Sequence, residues 1–294
     1  MSTTSLAEAR KVDANIGYLL ASSTVNRRFC APHEDVNTSQ YTEYPVTMHD
    51  GSGIESRFEA DVHGFEYLHN PTSFTDWNDV EAIARDYEPA QLEIVRRFLS
   101  ADRMVNLGHA LRTTGDTEAR DMKPAASEAH VDFETVAARA YADQLHKQHH
   151  PDAPPYRRFV AFSFWRPLTA PPHDWPLAVC DFRSVDPAEG ERNVLVWCDE
   201  IPPKEKWFDP IDGEESFPAA FIFHHNPAHR WWYFSQMTPD DTLFLKFHDS
   251  DHARAWRCPH SAFRNLADEN ANLRESIEFR GMAFFDETPA KVAS

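Results

Sequence analysis

Basic residues are scarce in this sequence, which has 29 Lys and Arg against 47 Asp and Glu in 294 residues and a formal net charge of −18. Nucleic acids and anionic membranes bind proteins through dense Lys and Arg, so the charge argues against both partners. Long apolar runs are missing too, and none approaches the roughly 20 residues that span a bilayer. The first ten residues lack the basic start and apolar stretch of a secretory signal. We therefore expect neither a nucleic-acid nor a membrane partner.

Cysteine and glycine are also in short supply. The four cysteines, Cys30, Cys180, Cys198 and Cys258, show no C-x-x-C spacing, which predicts reduced thiols in a cytoplasmic protein rather than a disulfide framework. Nine glycines against 21 prolines favour short, stiff connections. Because no repeat or flexible linker divides the chain, the sequence predicts a single domain over residues 1–294.

Aromatic residues, in contrast, are abundant, with 21 Phe and 8 Trp. They can fill a large core, which excludes disordered, collagen-like and coiled-coil proteins. In the N-terminal part, residues 44–49 and 54–62 flank the turn sequence Asp-Gly-Ser-Gly and predict a β-hairpin. Apolar spacing over 76–101, interrupted by Pro89, predicts two helices, and a third is expected over 134–149.

The second half of the chain changes to short aromatic and β-branched runs separated by Pro, Asp, Gly and Asn. Many short strands without intervening helices predict a mainly β fold with flanking helices and a jelly-roll core. We expect an N-terminal hairpin and helical layer over 1–103 and a β core over 104–286. The predicted strands are 158–165, 177–182, 194–198, 219–224, 231–237, 242–248 and 276–285.

The motif H-x-D occurs three times, starting at His33, His130 and His150. The first lies in a polar stretch and the third in a Pro-rich loop, where a structural or exposed role is expected. His130-Val-Asp132 stands just before the β half, where a strand can direct both side chains to one face. An imidazole and a carboxylate placed in this way can bind one metal ion.

A further histidine, His260, lies in the later sequence Cys258-Pro-His260. Two histidines and one carboxylate on one face, with open positions, are typical of non-haem Fe(II) oxygenases. A zinc site would more often have three or four His and Cys ligands. Taken alone, His260 is better explained as a capped or hydrogen-bonded core histidine, and it gains weight as a ligand only in combination with the residues that follow it.

Arg274-Glu-Ser276 leads into the last predicted strand, and in an extended chain Arg274, Ser276, Glu278 and Arg280 share one face. A forked guanidinium with a hydroxyl can bind the distal carboxylate of a dicarboxylic acid. Pairing of these arginines with neighbouring glutamates is the alternative. The order H-x-D, distal His and Arg-x-Ser is more specific than any one of its parts.

Residues from about 56 to 286 resemble the hydroxylase/desaturase family of Fe(II)/2-oxoglutarate oxygenases. That family includes fungal gibberellin desaturase, the cephamycin methoxylation partner protein and fungal terpenoid (endoperoxide-forming) oxygenases. The blocks that carry the resemblance are FWRPL at 164–168, DWPLAVCDFRS at 174–184, HNPAHRWWYF at 225–234, MTPDDTLFLKFHDS at 237–250, PHSAF at 259–263 and RESIEFR at 274–280.

The resemblance implies a double-stranded β-helix that binds Fe(II) through His130, Asp132 and His260. It implies 2-oxoglutarate bound near Arg274 and Ser276, with O₂ as the oxidant. The implied activity is C–H activation on a small molecule in specialised metabolism by hydroxylation, desaturation or oxidative cyclisation, with release of succinate and CO₂.

Three further cations, Arg166, Lys246 and Arg280, are candidate substrate-binding residues. Together with the cosubstrate anchor they exceed what one carboxylate needs, so the sequence favours an anionic substrate such as a carboxylic or amino acid. A bulky terpenoid is the main competitor. Two other functions stay open: a noncatalytic partner protein that keeps the oxygenase fold, and a jelly-roll zinc hydrolase.

Overall fold

The computed structural model describes residues 9–117 and 122–286. The N-terminal segment inspected for a secretory signal therefore lies almost wholly outside the described residues, and so do the last eight residues of the predicted domain. Within these ranges the chain forms sixteen strands and four α-helical segments.

The strands carry the architecture and are numbered in chain order. They are β1 (Lys11–Leu19), β2 (Arg27–Ala31), β3 (Glu34–Asn37), β4 (Tyr41–Asp50), β5 (Phe65–His69), β6 (Arg103–Thr113), β7 (Lys123–Pro124), β8 (His130–Val131), β9 (Tyr156–Pro167), β10 (Leu177–Cys180), β11 (Glu191–Trp197), β12 (Ala219–Ile222), β13 (Trp231–Tyr233), β14 (Asp241–Asp249), β15 (His260–Ala262) and β16 (Glu275–Asp286).

Two sheets are built from these strands. The larger has the order β1-β4-β13-β10-β15-β8-β12-β11-β2-β3, and the smaller has the order β5-β14-β9-β16-β6-β7. All seven strands predicted in the second half are present, although β10, β12 and β13 end earlier than expected. Two sheets with few helices confirm the predicted mainly β jelly-roll core with flanking helices.

Strand β9 shows how the smaller sheet divides its two faces. On one face, Trp165 packs with Leu243 and Leu245 of β14, and Ser163, Trp165 and Leu245 line one pocket. On the other face, the alternate residues Phe162 and Phe164 pack in a separate apolar cluster with the helical segment. The period of two along β9 therefore separates the site from the helix-covered core.

The helices are α1 (Ala60–His63), α2 (Val80–Ala82), α3 (Glu88–Leu99) and α4 (Thr135–His149). The prediction of a break at Pro89 is wrong, because a π-helical turn over Ile83–Tyr87 joins α2 to α3 and Pro89 lies in the first turn of α3. Pro89 has no N–H to donate, and the helix continues through this position by way of the π-helical turn directly before it, where Glu88 N–H donates to the Ile83 carbonyl. Helix α4 agrees with the predicted third helix and begins after Glu134.

The predicted N-terminal hairpin is also wrong. Residues 44–49 do lie in a strand, but β4 pairs with β1 on one side and with β13 on the other. Residues 54–62 form a 3₁₀ turn and the start of α1 instead of a returning strand. Since β1 to β4 extend the larger sheet and β5 joins the smaller one, the sheets do not follow the proposed division at residue 103.

Candidate active site

Two neighbouring strands bring the histidines of the predicted triad together. His130 on β8 is the direct antiparallel partner of His260 on β15, and their ring centroids lie 4.3 Å apart. Asp132 follows the end of β8, and its Oδ1 lies 3.4 Å from Nε2 of His130 and 4.0 Å from Nε2 of His260. Each of the three residues offers one ligand atom, and these atoms lie within 4.8 Å of one another.

Both imidazoles are oriented by the backbone in the same way. Nδ1 of His130 is 2.8 Å from the carbonyl of Glu128, and Nδ1 of His260 is 3.1 Å from the carbonyl of Cys258. Because Nδ1 donates to a carbonyl, the lone pair of the neutral ring is left on Nε2, which faces the other ligands. The donor set therefore fits a single Fe(II) ion with open positions.

In the metal-free protein, electrostatics favour the metal-binding protonation state at His260 and Asp132 and oppose it at His130. Burial, and then the neighbouring His130, lower the pKa of His260 to about 4. Burial opposes ionisation of Asp132, but the Arg280 guanidinium outweighs it and the pKa of this carboxyl is held well below its usual range. The pKa of His130 is raised, because the hydrogen bond and charge of Asp132 outweigh burial. Neutral imidazole and ionised carboxylate are the metal-binding forms.

Arg274 and Ser276 lie beside the triad with unsatisfied polar atoms. Both residues are 1% exposed, and Nε and Nη2 of Arg274 and Oγ of Ser276 have no hydrogen-bond partner among the described residues. Burial, followed by the charge of Arg112, lowers the pKa of Arg274 to about 10. A buried cation left unpaired is costly, so this pair fits the carboxylate of a bound anion such as 2-oxoglutarate.

The pocket around this pair contains residues that the sequence did not single out. It is bounded by His130 and His260, by Arg274 and Glu278, and by Arg112, Ala126, Ser163, Trp165, Leu177, Leu245, Ser261 and Ala262. Arg112 enters because β6 pairs with β16 and places it directly opposite Ser276. Only the strand register reveals this neighbour, and no motif in the sequence marks it.

Arg166 and Lys246 are placed away from the site, which corrects the prediction that they bind substrate. The Arg166 guanidinium is fully buried and donates to Tyr87 Oη and to the carbonyls of Asn70 and Pro239. Its strand neighbour Trp165 faces the pocket, so Arg166 points to the opposite face.

Lys246 is likewise fully buried. Its Nζ lies 2.7 Å from Asp61 Oδ1 and 2.7 Å from Asp249 Oδ2, and it donates to the Ala255 carbonyl. All three donor positions of the ammonium are therefore used in a structural ion-pair cluster. Its strand neighbour Leu245 faces the pocket.

Arg280 does reach the triad, but its partners are carboxylates of the protein. Nη2 lies 3.0 Å from Asp132 Oδ2 and 2.9 Å from Glu278 Oε2. The pairing with glutamate that the sequence left open is thus present, and the contact with Asp132 was not anticipated.

The histidines of the other two H-x-D sequences, and two further histidines of the β half, do not join the metal site. His33 is exposed, and Nε2 of His150 is 3.3 Å from the Met104 carbonyl. His229 bonds to Tyr18 and to Glu189, and His248 lies in the aromatic core beside Phe159. Across residues 9–117 and 122–286, the triad is the one metal-like group of His, Cys, Asp or Glu that the geometry identifies.

The fold and the site define the class of protein. A jelly roll that holds two histidines, one carboxylate and an unpaired arginine–serine pair is typical of a non-haem iron oxygenase that uses a 2-oxo acid.

Comparisons with known proteins agree with this class. A family model described as oxidoreductase/YMDC permease-like domain matches residues 18–284, so the chain belongs to this family. The hydroxylase/desaturase efuI of Hormonema carpetanum is 27% identical over 264 residues, which cover 84% of this chain and 86% of the relative. The Fe(II)/2-oxoglutarate-dependent dioxygenase nvfI of Aspergillus novofumigatus is 29% identical over 252 residues, covering 83% and 84%.

A solved structure supports the fold assignment. The iron and alpha-ketoglutarate-dependent endoperoxidase NvfI matches with a TM-score of 0.77 and 23% identity, covering 94% of this chain and 98% of that one. Together with the relatives, it confirms the resemblance to the hydroxylase/desaturase group of Fe(II)/2-oxoglutarate oxygenases. In the part of the chain that the structure describes, no helix has the length and apolar character needed to cross a membrane.

Proposed function

We propose that this protein is an Fe(II)/2-oxoglutarate-dependent dioxygenase that activates a C–H bond of a small molecule in specialised metabolism. Hydroxylation, desaturation and oxidative cyclisation are the reaction types open to it. The observation that carries the proposal is the juxtaposition of two sites: a triad with both Nε2 atoms directed at one point, and a buried Arg274–Ser276 pair with unpaired donors.

Each residue of the site has a defined task. His130, Asp132 and His260 would hold Fe(II) and leave the remaining positions for 2-oxoglutarate and O₂. The Arg274 guanidinium and the Ser276 hydroxyl would bind the distal carboxylate of 2-oxoglutarate and thereby orient its 2-oxo acid end towards the triad.

The bound iron and cosubstrate supply the redox chemistry: oxidative decarboxylation of 2-oxoglutarate to succinate and CO₂ delivers two electrons to O₂, and the substrate C–H group delivers the other two. The chain itself excludes water and side reactions. Phe247 stacks on His260 with ring centroids 5.6 Å apart, and Trp165 lies under the Arg274 guanidinium. The side chains of His130, Asp132 and His260 are 14%, 17% and 9% exposed.

Two substrate classes are considered, an anionic small molecule and a terpenoid. A carboxylic or amino acid was favoured because of surplus cations, but Arg166 and Lys246 are engaged elsewhere and Arg280 is paired with two carboxylates. The remaining pocket cation, Arg112, also has protein partners, Glu278 at 3.7 Å and the Pro124 carbonyl at 2.9 Å. Surplus cations therefore no longer favour an anionic substrate, and a terpenoid is an equal competitor. Succinate release measured with amino acids and with hydrophobic polycyclic acids distinguishes the two classes.

We also propose that the protein works in the cytoplasm. Support comes from the four cysteines, which are all free thiols in the structure. A disulfide found in the purified protein under non-reducing conditions, by mass spectrometry of its peptides, would argue against this proposal.

The main test is anaerobic titration of the purified protein with Fe(II) and 2-oxoglutarate. We expect a visible charge-transfer band when both are present and Fe(II)-dependent succinate formation once O₂ is admitted. His130→Ala should abolish both signals. His33→Ala is the matched control, because it removes an exposed histidine from another H-x-D sequence and should leave both intact.

Other outcomes would support the rival functions. If the wild-type protein binds no Fe(II) anaerobically, the noncatalytic partner protein becomes the better explanation. Hydrolytic activity that depends on zinc and needs no 2-oxoglutarate would support the zinc hydrolase. An active His130→Ala protein would contradict the proposed iron site.

A further inference from the structure

Asp132 uses its two oxygens in different ways. Oδ1 is the oxygen that lies 3.4 Å from Nε2 of His130 and 4.0 Å from Nε2 of His260. Oδ2 is directed away from this point and lies 3.0 Å from Nη2 of Arg280. The carboxylate therefore presents one oxygen to the metal position while the other is held by a cation.

Arg280 is itself held in place by a second carboxylate. The same Nη2 donates to Glu278 Oε2 at 2.9 Å, and Glu278 is 6% exposed. The Arg280 charge in turn lowers the pKa of Glu278 against the effect of burial, so this acid stays ionised and binds the guanidinium. The face of Phe247 lies under the guanidinium, 5.7 Å from its carbon.

A bulge in the neighbouring strand lies beside Arg280. On β16 the pairing with β6 shifts register between Phe279 and Gly281, so Arg280 stands opposite a bulge. Gly108 of β6 adopts a positive φ of 81° at that point, a conformation that glycine permits. The extra residue belongs to β6, while β16 keeps a regular register with β9 there, in which Arg280 pairs with Ser163.

We propose that Arg280 is a positioning residue that keeps Asp132 a one-oxygen ligand of the iron. A carboxylate that coordinates through both oxygens would occupy one of the three positions that 2-oxoglutarate and O₂ require. By binding Oδ2, Arg280 keeps this third coordination position open. Glu278, which holds Arg280, also lines the pocket proposed to bind 2-oxoglutarate. The inference rests on the proposed function, since it assigns a role within the same iron site.

The experiment uses Co(II), whose visible absorption reports coordination number, as a probe in the purified full-length protein. For Arg280→Gln we expect a changed Co(II) spectrum, because Oδ2 of Asp132 becomes free to coordinate. The affinity of the Co(II) protein for 2-oxoglutarate should fall about tenfold or more, a typical effect of losing a partner of a metal ligand. Arg280→Lys keeps the charge without the fork and should give an intermediate spectrum and affinity.

Arg112→Gln is the matched control. It removes another cation of the pocket, one that lies 3.7 Å from Glu278 Oε2 and does not pair with Asp132 in the structure. We expect it to weaken 2-oxoglutarate binding while leaving the Co(II) spectrum without 2-oxoglutarate as in the wild type. A spectrum that changes equally in both variants would show a general charge effect and overturn the proposal.

The outcomes separate this inference from the proposed function. If wild-type protein binds neither Co(II) nor Fe(II), the proposed function itself fails. If the wild type binds metal but Arg280→Gln has the same spectrum and 2-oxoglutarate affinity, only the role of Arg280 is wrong. Should Arg280→Gln not fold, Arg280→Lys decides in its place, and wild-type values for both measurements would overturn the proposal.

Discussion

Arg274 lowers the stability of the protein without ligand, and it gains a partner only when an anion is bound. Its guanidinium is 1% exposed and two of its nitrogens lack partners among the described residues. A buried cation without a partner destabilises a fold, whereas an apolar side chain of similar size does not. Replacing Arg274 by an apolar residue should therefore raise the free energy of unfolding and lower the affinity for 2-oxoglutarate.

The first prediction follows from this opposition. Arg274→Met should weaken 2-oxoglutarate binding on the order of 100-fold, because it truncates one partner of a buried charged pair. The same variant, without metal or 2-oxoglutarate, should be more stable to urea by about 1–3 kcal/mol. Binding is measured calorimetrically on the metal-loaded protein, and stability by equilibrium unfolding.

Ser276→Ala provides the comparison, since it removes a neutral hydroxyl from the same cosubstrate site. We expect a loss of roughly 3- to 10-fold in 2-oxoglutarate affinity and little change in stability. If Arg274→Met were destabilised in the empty protein, the guanidinium would have to be paired in solution, and its assignment as the cosubstrate anchor would be wrong.

The residues of the site differ in how far the sequence reveals them. His130 and Asp132 lie two apart, and Arg274 and Ser276 do as well, so the period of a strand places each pair on one face. Arg112 could not be found in this way, because its place opposite Ser276 depends on the register of β6 against β16. Arg166 was misplaced for the same reason: its pairing with Ile277 assigns it to the helix-covered face.

At the scale of elements, the junction between β8 and α4 positions the metal-binding carboxylate. Asp132 lies between the end of β8 and Glu134, which is the N-cap residue of α4. The Glu134 side chain accepts from the backbone N–H groups of Val136 and Ala137 at 2.9 and 3.1 Å. Because this cap fixes the start of the helix, it also fixes the chain direction immediately after Asp132.

The second prediction tests this cap. Glu134→Ala should lower the free energy of unfolding by about 1 kcal/mol, the usual effect of losing an N-cap acceptor. Glu134→Gln keeps an oxygen acceptor and should lie close to the wild type. Urea unfolding of the two variants gives the comparison, and equal losses of stability in both would mean that the charge, through the neighbouring Arg192, matters more than the cap.

The N-terminal strands show that a strand can be predicted from the sequence more easily than the strand with which it pairs. Residues 44–49 were correctly placed in a strand, but the turn after them was expected to return the chain alongside it. Instead Gly51 packs so closely that an added Cβ would lie 2.6 Å from the Phe234 ring, and Phe58 turns into the same aromatic cluster. Burial of an aromatic side chain against distant strands overrode the local turn signal.

At the scale of the whole molecule, the net charge of −18 conceals a cationic site. Arg112 and Arg274 line the pocket, where Glu278 is the one acidic lining residue among those the structure describes, and Arg280 beside it is paired with Glu278 and Asp132. The two lining cations suit a dianionic cosubstrate although the chain as a whole is acidic.

The whole fold also depends on histidines that are buried in the neutral form, and His248 shows the largest effect with a stated value. It is 2% exposed, its Nδ1 has no partner among the described residues, and its ring stacks on Phe159. Burial, followed by the nearby His252, lowers the pKa of His248 from 6.5 to about 3. Between these two values the unfolded chain binds a proton at this position and the folded protein does not.

The last prediction follows from that difference. Because the unfolded state takes up more protons in this window, the contribution of His248 to stability is present above pH 6.5 and is lost as the pH falls towards 3. The free energy of unfolding changes through this group by at most roughly 1.4 kcal/mol per pH unit.

His248→Phe keeps an aromatic ring beside Phe159 but cannot titrate, so the variant should lose less stability than the wild type on acidification. Urea unfolding at several pH values in this window measures the difference, with the exposed His149→Phe as control. If wild type and His248→Phe lost stability in parallel, His248 would have to be protonated inside the folded core, and the aromatic packing around it could not be as closed as the structure shows.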